Sequence, residues 1–360
     1  MLCRASRAAS RRPPLLLRGG ASRLRSCSSV SSSAPDDPVP IPAANTGCCC
    51  GHSDHMGFIR DVAATQPPKL LPQLLQVLQE RVGETIISPG SRKGMVPLAI
   101  PLAKSCSGAI TALLRWPTAP SGMEMPVVDV DKHGVYLLAK SVDQFIHRIL
   151  LEEDTLGSLD ASNKLLHASA GARRRLYKEG EFTKSKISNL DIYLLKKVGL
   201  FPDILERKAM NHFENGDDVS ALVTAEFYTK KENFPGFARP FVFNAVLLQK
   251  VGHFLEAKDA ARGALKLPWW TLGCKYEDVA EIAEWEDEQI ERIKEKITER
   301  GREEDLMKGK PPAQIALDEA AFLMDLASVK GTWDDSVDRI GKCYEEAGLP
   351  DIAQFVRYQE

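Results

Sequence analysis

The chain has 360 residues, of which 44% are hydrophobic and 27% are charged, and its formal net charge is −2. These proportions are typical of a soluble globular protein with about two or three domains. The nearly balanced charge argues against a general attraction to nucleic acid or membranes, and no apolar run reaches the ~18 residues of a membrane span. Cys106, Cys274 and Cys343 are scattered through the body of the chain, a pattern typical of a reducing compartment.

The first 35 residues have the composition of an organelle transit peptide, with seven Arg, nine Ser and no Asp, Glu or Lys. The serine-rich run Cys27–Ser33 favours a plastid, and a disordered tail of a cytosolic protein is the alternative. We expect residues 1–56 to form this transit peptide and a disordered linker. Adjacent cysteines such as Cys48–Cys50 cannot easily converge on one metal ion, so no metal site is expected there.

Residues 57–155 alternate short helical and β-like patterns, which predicts a small α+β domain. Apolar residues at helical spacing predict helices at Leu70–Leu78 and Val142–Glu153. Pro97 and Pro101 indicate an edge strand or a bulge. The strands are expected at Glu84–Ser88, Met95–Leu102, Ala109–Trp116, Pro126–Val130 and Val135–Ala139, with a hairpin turn at Asp131–Gly134.

A basic turn in this domain, Pro89–Gly94, superficially resembles a phosphate-binding loop. It lacks the order Gly-x-x-x-x-Gly-Lys-Ser/Thr, and a strand rather than a helix is expected after it. A phosphate loop needs the backbone donors of a helix N-terminus. A solvent-exposed basic turn is therefore the favoured interpretation, and contact with an anion or a nucleotide is the alternative.

Beyond residue 156 the chain reads as helix after helix, with one recurring motif. In Gly252–Pro268 a turn glycine precedes an aromatic residue by two positions, and small residues at Ala257 and Ala264 would allow close helix packing. Related turns occur at Gly180, Gly216 and Gly331. Gly180, Gly216 and Gly252 follow one another at intervals of 36 residues, near the ~34-residue unit of tetratricopeptide-type repeats. The predicted fold is an α+β N-terminal domain followed by an all-α, tetratricopeptide-like helical-repeat array over residues 156–360, a type that usually binds polypeptides.

The last part of the array has three expected features. Charge order and apolar spacing predict one long helix, Tyr276–Arg300, which Gly301 ends as its C-cap. A charged loop, Arg302–Lys310, should interrupt the array before a last helix pair that turns at Gly331. We expect the end piece, Leu349–Tyr358, to cap the open face of the stack.

Candidate partner-binding residues are aromatic: Phe234, Phe237, Phe241, Trp269 and Trp270. Four phenylalanines near residue 237 are too many for a plain linker, and two adjacent tryptophans cannot share one helical face, so partial exposure is expected. Packing in the core or between repeats is the alternative for all five.

The arginine run Arg173–Arg175 is interpreted as a solvated helix face, with docking of an acidic partner as the alternative. No Cys–His, Ser–His or metal-ligand spacing indicates catalysis, so neither an enzyme activity nor a cofactor is predicted.

Several longer strings are similar to one plant family, called "protein in chloroplast ATPase biogenesis". They are Gly57–Gln79, Glu84–Gly94, Ala112–Pro120, Leu195–Asp203, Glu226–Lys231 and Pro268–Gly273. The resemblance spans about residues 57–360, and the strings are specific to the family rather than general chemical motifs.

This resemblance implies an assembly factor for the chloroplast ATP synthase, nuclear-encoded and imported into the stroma. It implies action downstream of the chaperonin, with the γ subunit as the partner that is helped into the catalytic F1 core, and the F1 β subunit as a further candidate. Two other classes of function stay open from the residues themselves. One is a helical-repeat adaptor for another plastid complex or an RNA-processing assembly, and the other is an enzyme or nucleotide-binding protein that uses the turn near Gly90–Gly94.

Overall fold

The computed structural model of the protein describes residues 50–81, 83–156, 176–285 and 287–360. Most of the expected transit peptide and linker, and the run Arg173–Arg175, lie outside these ranges. Helices α1–α3 are Cys50–Asp61, Leu71–Glu80 and Val142–Leu156, and strands β1–β5 are Glu84–Ile86, Ala99–Ser105, Ile110–Leu114, Val127–Asp131 and Gly134–Ala139. Helices α4–α9 are Glu181–Lys184, Leu190–Lys197, Pro202–Glu214, Asp218–Tyr228, Arg239–Val251 and Phe254–Ala264. A 3-10 turn, Trp269–Thr271, precedes α10–α15, which are Tyr276–Ala283, Glu288–Lys296, Glu299–Met307, Pro312–Lys330, Trp333–Glu346 and Pro350–Arg357.

The five strands form an antiparallel sheet in the order β1-β2-β3-β4-β5, which confirms the predicted α+β start of the chain. The predicted hairpin joins β4 to β5, where Asp131 pairs with Gly134. The register of β2 against β3 shifts between Pro101 and Ala103, so the bulge that the prolines indicate is present. This bulge lets β2 lie inside the sheet although proline has no backbone donor for a neighbouring strand.

Helix α1 begins at Cys50, ahead of Gly57, where the sequence predicts the start of ordered structure. It buries one face, since His55, Phe58 and Ile59 are all buried. The Nε2 atom of His55 lies 3.1 Å from the main-chain oxygen of Pro101 in β2. Packing against the sheet therefore stabilises a helix whose polar composition looks like a linker, as is common for short helices.

Left-handed glycines make the turns of three packed helix pairs within the described ranges, as the repeat pattern predicts. Gly216 lies between α6 and α7, Gly252 between α8 and α9, and Gly331 between α13 and α14. Glycine adopts such positive φ angles without the strain that a Cβ atom would cause. Gly180 differs from the prediction, because it also has a positive φ but precedes only the four-residue helix α4.

The predicted long helix Tyr276–Arg300 is wrong, since α10, α11 and the start of α12 cover this part of the chain. Helix α10 ends at Ala283, and the backbone of its C-cap residue Glu284 is left-handed, with φ 52° and ψ 45°. Contacts of Arg262 explain the break. Its Nε donates to the main-chain oxygen of Ala283 at 3.0 Å, and its guanidinium lies 5.3 Å from the centre of the Trp285 ring. Tertiary contacts therefore outweigh helix propensity at this point.

Gly301 is not a C-cap, because it lies in the first turn of α12. Its backbone N–H donates to the Oγ1 atom of Thr298, the N-cap residue, at 3.1 Å. A Cβ atom on Gly301 would lie 2.6 Å from the main-chain oxygen of Glu295, so glycine permits a close approach of two chain segments. The expected charged loop Arg302–Lys310 is accordingly helical as far as Met307.

The sheet and the helix pairs pack directly against each other. Helix α6 contacts β5, and the β4–β5 turn contacts the C-terminal helices. The Nδ1 atom of His133 lies 3.0 Å from the main-chain oxygen of Ser328, and the Trp333 indole donates to the main-chain oxygen of Lys132 at 2.9 Å. One hydrophobic cluster accordingly includes residues from α1, the sheet and α15. The division of the chain at residues 155 and 156 stays a prediction.

The expected end piece forms helix α15, which packs against α14. Its other side contacts the N-terminal domain and not solvent. The Phe58 ring of α1 lies 6.3 Å from the Phe355 ring and 5.2 Å from the Tyr358 ring, both edge to face. The end piece thus covers the last helix pair, as expected, and its apolar residues also join that pair to the first domain.

Candidate protein-binding surface

Helix α7 exposes an apolar ridge, which we call the α7 ridge: Val219, Val223 and Phe227, four residues apart along the chain. Their side chains are 74%, 61% and 39% exposed, whereas Ala221 and Ala225 are fully buried. Small alanines pack α7 against α6 and α8, so the larger apolar side chains point into solvent. Exposed apolar surface of this kind is typical of a protein-binding site.

Acidic residues precede and flank the α7 ridge in the chain. The segment Glu214–Glu226 contains four acidic residues and neither Lys nor Arg. Asp217 caps α7 by accepting a 3.0 Å hydrogen bond from the backbone N–H of Ser220. Hydrogen bonds from Ser220 lower the pKa of Asp217, which keeps its carboxyl ionised at neutral pH. At the far end of the ridge the ammonium of Lys230 lies 5.5 Å from the Phe227 ring centre.

The next helix pair repeats this arrangement on a smaller scale. Phe254 and Leu255, in the first turn of α9, are 68% and 77% exposed. Ala257, Ala261 and Ala264 on the same helix are buried, which confirms the close packing predicted from the small residues. In both pairs the second helix therefore buries alanines and exposes larger apolar side chains.

The first helices of these pairs, α6 and α8, face helix α3 and the sheet. Arg148 of α3 and Asp203 of α6 form a buried pair with two hydrogen bonds of 2.7 Å. Glu206 of α6 and Arg239 of α8 form a second buried pair with two bonds of 2.8 Å. The guanidinium of Arg239 also lies 5.6 Å from the centre of the Tyr136 ring in β5. The sheet thus fills the inner side of the array, while α7 and α9 form its outer side.

The five aromatic residues predicted to contact a partner lie largely inside the fold. Phe234, Phe237, Trp269 and Trp270 are buried, and Phe241 is half-buried. The Trp116 ring of the β3–β4 connection lies 5.6 Å from the Phe237 ring and 5.5 Å from the Trp270 ring. In this conformation these side chains join the helix pairs to the sheet. Their contact with a partner stays a prediction.

The basic turn Pro89–Gly94 is not solvent-exposed at Arg92, whose side chain is buried. The Arg92 guanidinium donates to the main-chain oxygen of Phe355 at 2.6 Å and to those of Pro97 and Ala99. A Cβ atom on Gly90 would lie 2.7 Å from the side chain of Glu360. The C-terminal residues therefore occupy the side of the turn where an anion would otherwise approach the arginine.

Other kinds of site have little support in the described ranges. No cluster of three or more His, Cys, Asp and Glu side chains there could hold a metal ion. None of the helices that the structure describes is long and apolar enough to cross a membrane. A cavity lined by Leu137, Tyr228, Phe237 and Arg239, among others, has a volume of about 10 Å³, room for about one water molecule. Fold and surface together define a helical-repeat protein whose candidate site is an exposed face and not a pocket.

Comparison with known proteins gives the family. Family models described as PAB N-terminal, PAB middle domain and PAB C-terminal domain match residues 53–197, 202–286 and 290–359. The chain is 60% identical over 326 residues to "Protein IN CHLOROPLAST ATPASE BIOGENESIS, chloroplastic" of Arabidopsis thaliana. The aligned region covers 91% of this chain and 97% of the Arabidopsis protein. No solved structure gives a significant match. The chain therefore belongs to the PAB family, which includes the Arabidopsis protein, and the resemblance seen in the sequence is confirmed.

Proposed function

We propose that this protein is an assembly factor for the ATP synthase of the chloroplast. The observation that carries the proposal is the 60% identity, along 97% of its length, to an Arabidopsis protein named for chloroplast ATPase biogenesis. That relationship, together with the arginine-rich and serine-rich first 35 residues, supports a location in the chloroplast stroma. The protein acts by binding, without catalysis or a cofactor. The exposed α7 ridge supports a binding role, and occupation of the Arg92 turn by the C-terminus counts against a nucleotide site.

The client that we propose is the γ subunit, which the protein holds after the chaperonin and before the catalytic core surrounds it. The F1 β subunit is the second candidate client. A subunit that waits for assembly keeps its future interface exposed, and such apolar surface needs shielding from aggregation. Handover requires that the protein bind the free subunit more weakly than the finished core does.

The test is direct binding of the purified protein to isolated γ subunit, to isolated β subunit and to the assembled F1 core. We expect binding to free γ and none to the assembled core, with no change on addition of ATP. Binding to neither isolated subunit would contradict the proposal. Equal binding to free and assembled γ would contradict the handover.

A further inference from the structure

We propose that the α7 ridge is a docking site for an amphipathic α-helix whose apolar stripe is flanked by Lys and Arg residues. This deepens the function proposed above and rests on it for one point only, the assignment of that helix to the client. The argument has three parts: the spacing of the apolar side chains, the charge around them, and the chemistry of the alternative occupants.

The apolar spacing fits a second helix. Val219, Val223 and Phe227 lie on one face of α7, and Phe227 follows Val219 by eight positions, a rise of about 12 Å along the helix. An amphipathic helix presents apolar side chains with the same three-residue and four-residue spacing, so about two of its turns can pack along the ridge. Phe254 and Leu255 expose further apolar surface on α9, the second helix of the next pair.

The charge around the ridge selects a basic partner. Glu214, Asp217, Asp218 and Glu226 are all exposed, and no Lys or Arg separates them in the chain. An incoming helix with Lys and Arg beside its apolar stripe would place cations opposite these carboxylates. A helix with acidic margins would be repelled by the same groups. Attraction of this kind accelerates association and weakens as salt concentration rises.

A second copy of this chain is a poor occupant. Two α7 ridges packed in parallel would bring the four carboxylates of one copy against the four of the other, and a dimer of the full chain that Val223→Asp dissociates would overturn the inference. The inner side of the array is also closed to partners, because the sheet already packs against α6. The exposed apolar surface of α7 therefore fits a different polypeptide with basic residues better than it fits a second copy of this chain.

The first experiment uses the full chain and two synthetic helical peptides that share one leucine stripe. One peptide has Lys and Arg at its margins, and the other has Glu at the same positions. We expect the basic peptide to bind, and Val223→Asp to weaken that binding about tenfold or more, because a charge would enter the apolar contact. Met307→Asp is the matched control, since Met307 is 80% exposed on the distant helix α12. Equal binding by Val223→Asp and Met307→Asp, or equal binding of both peptides, would overturn the inference.

A triple variant tests the charge separately. Asp217→Asn, Asp218→Asn and Glu226→Gln together remove three carboxylates while asparagine still caps α7. We expect weaker binding of the basic peptide and a flatter dependence on salt concentration. Unchanged salt dependence would overturn the role given to the carboxylates.

Binding of isolated γ subunit to the same variants tests the docking site and the proposed function independently. If γ binds the wild-type protein and Val223→Asp equally, the ridge is not the docking site although the assembly function stands. If the basic peptide binds at the ridge but γ does not bind at all, the client assignment fails while the chemistry of the ridge is supported.

Discussion

Arg92 and Phe355 are 263 residues apart in sequence, and the guanidinium of the first donates to the main-chain oxygen of the second at 2.6 Å. The same guanidinium lies 4.1 Å from the centre of the Phe355 ring. Its hydrogen bonds in the described chain all go to main-chain oxygens. Burial lowers the pKa of Arg92 to about 9, so the group is still charged at neutral pH. A buried cation therefore joins the first domain to the last helix.

Replacement of this cation should destabilise the whole protein. We expect Arg92→Met to lower the free energy of unfolding by about 2–4 kcal/mol, because several buried main-chain oxygens lose their donor. Lys93→Met, at the exposed neighbouring position, should change it by no more than about 0.5 kcal/mol. Urea unfolding curves of both variants check this. Similar midpoints for the two would mean that the Arg92 contact contributes little.

The contact between the β4–β5 turn and the 3-10 turn should tolerate no additional methyl group. A Cβ atom on Gly134 would lie 2.6 Å from the main-chain carbon of Trp270, whereas a Cβ atom on Gly108 would meet nothing within 4 Å. Both glycines have positive φ, so Gly108→Ala is a control for backbone strain. We expect Gly134→Ala to cost about 1–3 kcal/mol more than Gly108→Ala, the typical range for overpacking. Thermal unfolding measures the difference, and equal melting temperatures would exclude the clash.

Asp325 should make stability depend on pH in an unusual direction. Its Oδ1 atom accepts a 2.7 Å hydrogen bond from the backbone N–H of Trp269, and burial raises the pKa of Asp325 to about 8. The unfolded pKa is about 4, so the folded state binds more protons between about pH 4 and 8. The stability that this group contributes is therefore full below about pH 4 and is lost as pH rises towards 8.

Asp325→Asn retains the acceptor and removes this titration. We compare the free energy of unfolding of Asp325→Asn with that of the wild type. We expect the difference to shift in favour of Asp325→Asn by about 1 kcal/mol for each pH unit from pH 5.5 to 7.5. Asp335→Asn, at an exposed position of α14, removes a carboxylate and serves as the matched control. Urea unfolding at several pH values decides the matter. Parallel curves for the wild type and Asp325→Asn would show that Asp325 does not titrate in this range.

Partner binding by the predicted aromatic residues can be tested separately from their role in packing. Because Phe237 and Trp270 are buried against Trp116, we expect Phe237→Ala and Trp270→Ala to cost about 3–5 kcal/mol of unfolding free energy. The sequence-based prediction adds that both variants bind the client less well. Binding should be measured at a temperature where each variant is folded, with Phe237→Leu as the control that conserves most of the side chain. Unchanged binding by the folded variants would leave these residues a packing role alone.

Much of the fold follows from local sequence. Glycine at Gly216, Gly252 and Gly331 predicts the turns of the helix pairs, because a left-handed backbone favours glycine regardless of the rest of the structure. The bulge at Pro101 follows in the same way from the missing backbone donor. Features that depend on distant contacts do not follow. The break at Glu284 depends on Arg262, and the burial of Arg92 depends on the last helix.

The candidate site shows the same limit. Apolar residues recur in α7 at helical spacing, but the periodicity alone does not tell which face is buried. Alanines at Ala221 and Ala225 decide the question, since small side chains let neighbouring helices approach closely and leave Val219 and Val223 outside. A sequence signal was therefore available in the size of the residues on each face. The surplus of carboxylates in Glu214–Glu226 was a second signal.

The position of Glu360 has a consequence for the order in which the protein folds. Its carboxylate packs over Gly90 and accepts a 2.7 Å hydrogen bond from Ser88, which lies 272 residues earlier in the chain. Contacts between residues so far apart in sequence form slowly, because a long stretch of chain must first bring its ends together. The loop after β1 therefore completes its packing only once helix α15 has reached the first domain.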